Sequence, residues 1–250
     1  MEKRNVLRLG VVCWAVMASA IFVPSASAGV TGGLTFSACS GGGVAVNFAT
    51  IDFQNPVLLG YGCLDTGAGT ALTYANTATT TTTIGSGVAG TVNDLGYPPP
   101  GSGNVGFITI NGVSLDLLTI GPGVGSTGCS ATLTASNPAC SVFAGSPFIL
   151  APTSTGTSIS LDVSGSARDF TSSYSTWSGD FTTQIAGLTP LQIQQTICGP
   201  GGGCTGVGGG TILASYSFSG EASSPEPVSM VLIGGGLIAL AGLKRRKQRS

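Results

Sequence analysis

The 250-residue chain contains no histidine, and only 8% of it is charged. Between Gly29 and Ser224 there is also no lysine, and the one glutamate there is Glu221. Histidine is the side chain best suited to proton transfer near neutrality. Its absence removes Ser-His-Asp and Cys-His catalysis and His-ligated zinc. The absence of lysine removes Schiff-base chemistry. Aspartate chemistry is what survives. Cations are just as scarce: Arg168 stands against seven Asp and Glu221, a formal charge of −7 over residues 29–224. Nucleic-acid binding needs clustered Lys and Arg to neutralise phosphates, so that partner is excluded.

The missing cations are at the two ends. Lys3, Arg4 and Arg8 precede an apolar run from Leu9 to Val23, and Ala26-Ser27-Ala28 follows directly before Gly29. This order of basic, apolar and small residues is that of a secretory signal peptide, with signal peptidase as its partner and cleavage between Ala28 and Gly29. At the other end, Pro225-Glu226-Pro227 precedes sixteen uncharged residues, Val228 to Leu243, and then Lys244, Arg245, Arg246, Lys247 and Arg249. As a helix that stretch is about 24 Å long, short of a hydrocarbon core of about 30 Å, so it is a marginal membrane span. The basic cluster behind it is a stop signal under the positive-inside bias. Both ends are therefore expected to stay inside while the middle is carried out.

The Pro225-Glu226-Pro227 triplet, the short Gly- and Leu-rich segment and the basic end together resemble the PEP-CTERM sorting domain of Gram-negative bacteria. The resemblance covers about the last twenty-five residues. It implies recognition by an exosortase-like processing enzyme, transient anchoring in the membrane, release to the cell surface or medium, and an association with exopolysaccharide and biofilm matrix. A plain tail anchor is the rival reading. The expected organisation is a signal peptide over 1–28, an exported β-rich body over 29–220 and a sorting tail over 221–250, with a single hydrophobic helix over 228–243.

Period-two alternation, punctuated by Gly, Ser, Asn and Pro, predicts an all-β body, a β-sandwich or jelly-roll-like fold with long Gly/Ser/Thr-rich loops. Expected strands are Val44 to Ile51, Gly69 to Ala75, Gly106 to Ile110, Ser114 to Ile120, Ser130 to Thr134, Thr157 to Val163, Asp180 to Ile185 and Thr211 to Phe218. Asn111-Gly112 is a type I′ hairpin signal, and Pro190 to Ile197 reads as a short helix. The Thr77 to Thr83 run reads as a solvated loop or edge strand, Pro98 to Pro100 as a stiff turn, and Gly199 to Gly210 as a glycine loop.

Seven cysteines occur, and Cys13 leaves with the signal. The remaining six form an even set in an exported chain, and spacing favours local disulfides: Cys39 with Cys63, Cys129 with Cys140, and Cys198 with Cys204. Thiolate metal sites lack their Cys-x-x-Cys spacing, so no metal and no cofactor is expected. Asp65-Thr66-Gly67-Ala68 has the form of an aspartic-protease loop, but its best partner, Asp162-Val163-Ser164-Gly165, carries an extra residue; an ordinary turn at Asp65 is the expectation. Asp94, Asp116, Asp169 and Asp180 are candidate Ca²⁺ ligands with no repeat to organise them. Tyr61, Tyr97, Tyr174 and Trp177 are the candidate aromatics of a sugar site. The functional expectation is a non-enzymatic surface or matrix protein. A carbohydrate-binding or adhesin module and an aspartate-dependent hydrolase are the alternatives.

Overall fold

A computed structural model describes residues 29–56, 61–77, 80–96, 104–171, 174–199, 204 and 209–224. The signal segment with Ala26 and Ala28, the Pro225-Glu226-Pro227 triplet, the hydrophobic segment and the Lys244 to Arg249 cluster lie outside the described residues. So do Tyr97, Pro98 to Pro100 and most of the glycine loop.

Eight strands close into an antiparallel barrel. They are β1 (Gly32–Ala38), β4 (Tyr61–Thr66), β7 (Ala89–Asn93), β9 (Asn104–Ile110), β10 (Val113–Ile120), β13 (Gly156–Arg168), β14 (Tyr174–Ala186) and β16 (Ser217–Ser223). Their order round the ring is β10-β9-β7-β4-β1-β16-β14-β13, with β13 pairing back onto β10. β11 (Cys140–Ser141) and β12 (Ile149–Pro152) extend the sheet from β13. A second sheet is ordered β15-β2-β3-β8, from Ile212–Ala214, Gly43–Val46, Thr50–Gln54 and Leu95–Gly96, and β5 (Leu72–Ala75) pairs with β6 (Thr81–Ile84). The expected all-β class holds. A sandwich or jelly roll has two facing sheets with open edges; here the main sheet instead meets itself, which removes the edge.

The closure follows from the longest alternating segment. Along β13, Thr157, Ile159, Leu161, Val163 and Ala167 are buried, while Ser158, Ser160, Asp162, Ser164 and Ser166 alternate outward. β14 repeats the pattern with Ser175, Trp177 and Phe181 inward. The two pair over thirteen positions, Gly156↔Ala186 to Arg168↔Tyr174. On its other edge β13 divides: Thr157 to Ser160 pair with β12, and Val163 to Arg168 pair with β10.

Aromatic rings fill the interior. Phe36 stacks on Phe218 at 4.6 Å, Phe181 lies 4.9 Å from Phe218, and Phe107 stacks on Trp177 at 6.4 Å between centroids. Such pairs add to the large area each ring buries. The second sheet contributes Phe53, which packs against Phe181, Phe107 and Tyr216. The buried Trp177 Nε1 donates to Asp116 O at 3.0 Å, and Tyr216 Oη donates to Cys63 O at 2.8 Å. Gly179 and Gly220 face each other across β14 and β16. A Cβ on Gly220 would come within 2.6 Å of both Phe218 Cζ and Ser178 O, so the pair makes room for the ring.

Local chemistry explains where the sequence pattern misleads. Val44 to Ile51 breaks into β2 and β3 because Asn47 Oδ1 accepts from Ala49 N at 2.8 Å and Thr50 N at 2.9 Å, an Asx turn. Ser130 to Thr134 forms no strand: Ser130 Oγ accepts from Thr132 N and from Asn137 Nδ2, folding the segment on itself. Thr211 to Phe218 splits between β15 and β16, and β16 runs through Ser223, past the boundary expected at 220. The Asn111-Gly112 hairpin has the expected positive φ values of 45° and 87°. The helix α1 (Pro190–Cys198) forms behind a capping box between Thr189 and Gln192.

Replacing Gly220 with Ala forces a methyl group against the Phe218 ring. Chemical denaturation is expected to show a loss of about 1–3 kcal/mol, the usual cost of overpacking, whereas Gly112→Ser, which meets no neighbouring atom but keeps the positive φ, should cost about 1 kcal/mol.

Candidate functional site

The outer face of β13, β14 and β16 is built from short polar side chains, because every inward position on these strands is given to the core. Hydroxyls pair across the strands: Thr119 with Ser164, Thr176 with Ser223 at 3.1 Å, and Thr182 with Ser217 at 2.9 Å. Three exposed carboxylates, Asp162, Asp180 and Glu221, sit among them. Asp162 and Asp180 are directly opposite each other. An open groove of about 540 Å³ runs past all three.

Like charges placed opposite each other in a sheet repel. The Asp180 carboxyl is accordingly raised from its ordinary pKa, first by partial burial, then by its hydrogen bond with Asp162 and by the Asp162 charge. A raised carboxyl favours the folded state when protonated, so this contribution is present at low pH and is lost as pH rises through the Asp180 pKa.

The other candidate aspartates are dispersed, each in a structural role. Asp116 accepts from Arg168 Nε at 2.6 Å and Nη2 at 2.9 Å, from Gly106 N at 2.6 Å and from Ser114 Oγ at 3.2 Å. Partial burial alone would raise its pKa; the Arg168 hydrogen bond, joined by those from Gly106 and Ser114, outweighs burial and holds it below the ordinary value. Asp94 Oδ1 accepts from Phe53 N at 2.8 Å and fixes β3; burial raises it against that bond, and Asp52 adds repulsion. Asp169 accepts from Ala75 N at 3.1 Å and from Thr171 N and Oγ1, tying the β13–β14 turn to β5. Asp94, Asp116, Asp169 and Asp180 therefore do not converge on a Ca²⁺ ion. Among the described residues no group of three or more His, Cys, Asp or Glu is placed to hold a metal.

Asp65 is an exposed residue within β4, opposite Ser37 and Ala89. The expected turn begins two residues later, at Gly67, where Thr70 N donates to Gly67 O. β4 and β13 stand half a ring apart, so Asp65 and Asp162 point away from each other on opposite sides of the barrel and cannot share a proton. The candidate aromatics do not gather either. Trp177 is 3% exposed inside the core, Tyr174 is 63% exposed at the far end of β14, and Tyr61 is three strands away on β4.

The six cysteines form the three expected pairs, Cys39–Cys63, Cys129–Cys140 and Cys198–Cys204. The first joins β1 to β4; the other two flank residues 140–142, where Cys129 Sγ approaches Ser141 O and the Cys198 and Cys204 sulfurs approach Val142 O. Sequence reasoning had missed the Asp162–Asp180 pair. The signal was present: the two residues are equidistant from the turn that joins two alternating thirteen-residue segments.

Asp162→Asn removes the facing charge and is expected to raise stability at pH 7 by a few tenths to about 1 kcal/mol, a gain that thermal melts should show shrinking as the pH is lowered. Asp116→Asn should act oppositely, costing about 2 kcal/mol at pH 7 and less as pH falls through the lowered Asp116 pKa, where the wild-type carboxylate is itself protonated. No family model, curated protein or solved structure matches the chain.

Proposed function

We propose that the protein is exported and works outside the cytoplasm as a non-enzymatic cell-surface or extracellular-matrix protein. Residues 1–28 direct its export and signal peptidase cuts before Gly29. Residues 228–243 cross the membrane as one helix until an exosortase-like enzyme acts at Pro225-Glu226-Pro227. The observation that carries this reading is the distribution of charge: eight of the nine cations lie in the two ends, outside an acidic middle. The three disulfides of the body suit an oxidising compartment, and the only other cysteine, Cys13, lies in the expected leader. Composition leaves no His for a triad, and Asp65 and Asp162, the pair that the Asp-Thr-Gly-Ala loop suggested, stand on opposite sides of the barrel.

A second reading, a carbohydrate-binding or adhesin module, is favoured by the hydroxyl- and carboxylate-lined groove on the outer face. The two readings are compatible, since an exported matrix protein needs a surface for its surroundings.

Mass spectrometry of the protein recovered from envelope and medium tests the export reading. The expected species begins at Gly29, ends near Pro227 and resists alkylation at its six cysteines before reduction. A cytosolic chain that keeps Met1, Arg249 and free thiols would overturn it.

A further inference from the structure

The rim at which residues 29 and 224 meet the barrel carries almost no free charge. It is made by the turns at 67–70, 85–88 and 111–112 and by the tip of the β13–β14 hairpin. No charged residue occurs from Thr66 to Asn93 or from Phe170 to Gly179. The ions that do stand there are engaged: Arg168 holds Asp116, and Asp169, 7% exposed, accepts from Ala75 N and Thr171 N. Asp65 and Glu221 lie one and two residues in from the ends of β4 and β16 and face outward from the wall. At the opposite rim, where Asn93 pairs with Tyr61, Asp94 follows β7 with Asp52 near enough to repel it. Two large rings project from the uncharged rim. Phe170 is 77% exposed and Tyr174 63%, and both stand at the hairpin tip, where Tyr174 faces Arg168. The other exposed large apolar residues among those described lie off this rim: Leu118 two residues from the opposite end of β10, and Leu213 on β15 of the second sheet.

We infer that this rim rests on the surface of a lipid bilayer, with Phe170 and Tyr174 sunk among the headgroups. The inference rests on the export reading, in which the chain passes into the bilayer at Val228. Ser224 stands at the rim, and four residue steps of about 3.5 Å keep it within about 14 Å of Val228. The headgroup layer fills about 5–7 Å of that distance. Pro225 and Pro227 stiffen the link. The bilayer is therefore held beside the rim at a high effective concentration, which a free protein partner does not match. Aromatic rings collect at membrane interfaces, where an apolar body meets lipid and a tyrosine hydroxyl stays wet. A rim without free ions approaches the headgroups without stripping water from a charge. Two rings hold the barrel down only while the tail adds to them, so cutting at Pro225-Glu226-Pro227 lets it go.

The test is lipid photolabelling of the full chain reconstituted in phosphatidylcholine vesicles. A carbene is generated from a photoactivatable lipid, and the labelled residues are read by mass spectrometry. Label is expected on residues 228–243 and on Phe170 and Tyr174, the two rings at least about fivefold above Leu118 and Leu213, which are similarly exposed but lie off the rim. In Phe170→Ser/Tyr174→Ser, label on the neighbouring Asn111-Gly112 turn should fall about threefold or more, with the melting temperature unchanged. Where the double variant melts lower, Phe170→Ser alone carries the comparison. Label on 228–243 without label on the two rings overturns the docking alone. Equal label on Leu118 and Leu213, or unchanged label on the Asn111-Gly112 turn in the variant, does the same. Label on the rings that appears only when the protein is diluted with lipid marks a second copy as the occupant and also overturns it. Absence of label from 228–243 overturns the membrane span, and with it the export reading.

Discussion

Strand β13 has more hydrogen-bonding edge than one neighbour can satisfy, and the way that edge is divided sets the rest of the molecule. Buried or half-buried backbone groups must find partners. The first part of β13 finds them on β12 and the second part on β10, which turns a long sheet into a ring. An eight-strand ring encloses a space that side chains alone can fill. Here Phe36, Phe107, Trp177, Phe181 and Phe218 fill it, with Gly179 and Gly220 yielding room. Because strand side chains alternate, an interior this apolar leaves the outward positions to Ser, Thr, Asp and Glu. The open groove is thus the reverse side of the core.

How much of this the sequence disclosed depends on how strictly each segment alternates. β10, β13 and the α1 helix were legible: Thr157 to Val163 keeps a clean period of two, and Thr189-Pro190 with Gln192 signals a helix start. Strands β1, β4 and β7 were hidden by glycines such as Gly32, Gly62 and Gly90, which blur the pattern although each lies where a side chain would collide. The ring itself was not legible, because closure is a property of pairing between β10 and β13, more than forty residues apart. The groove was half legible. Each acid could be named, but only the register places Asp162 against Asp180 and Glu221 beside them.

Scarcity of charge makes the placement of each ion informative. One cation is spent holding Asp116 across β10 and β13. Asp94 and Asp169 are spent on backbone amides of β3 and β5. What is left on the outer wall of β13, β14 and β16 is Asp162, Asp180 and Glu221. Two of them oppose each other.

β1 and β16 are neighbours running in opposite directions, with Gly32 beside Ala222. The chain therefore enters and leaves the ring at the same rim. Tension applied between residues 29 and 224 loads the first hydrogen bonds of that ladder and opens it like a zip, one rung at a time, rather than shearing all rungs together. The Cys39–Cys63 bridge lies at the far end of β1, so it blocks none of the early rungs. Held by both ends, this barrel is mechanically soft; held by one end, with the load spread over its wall, it is not.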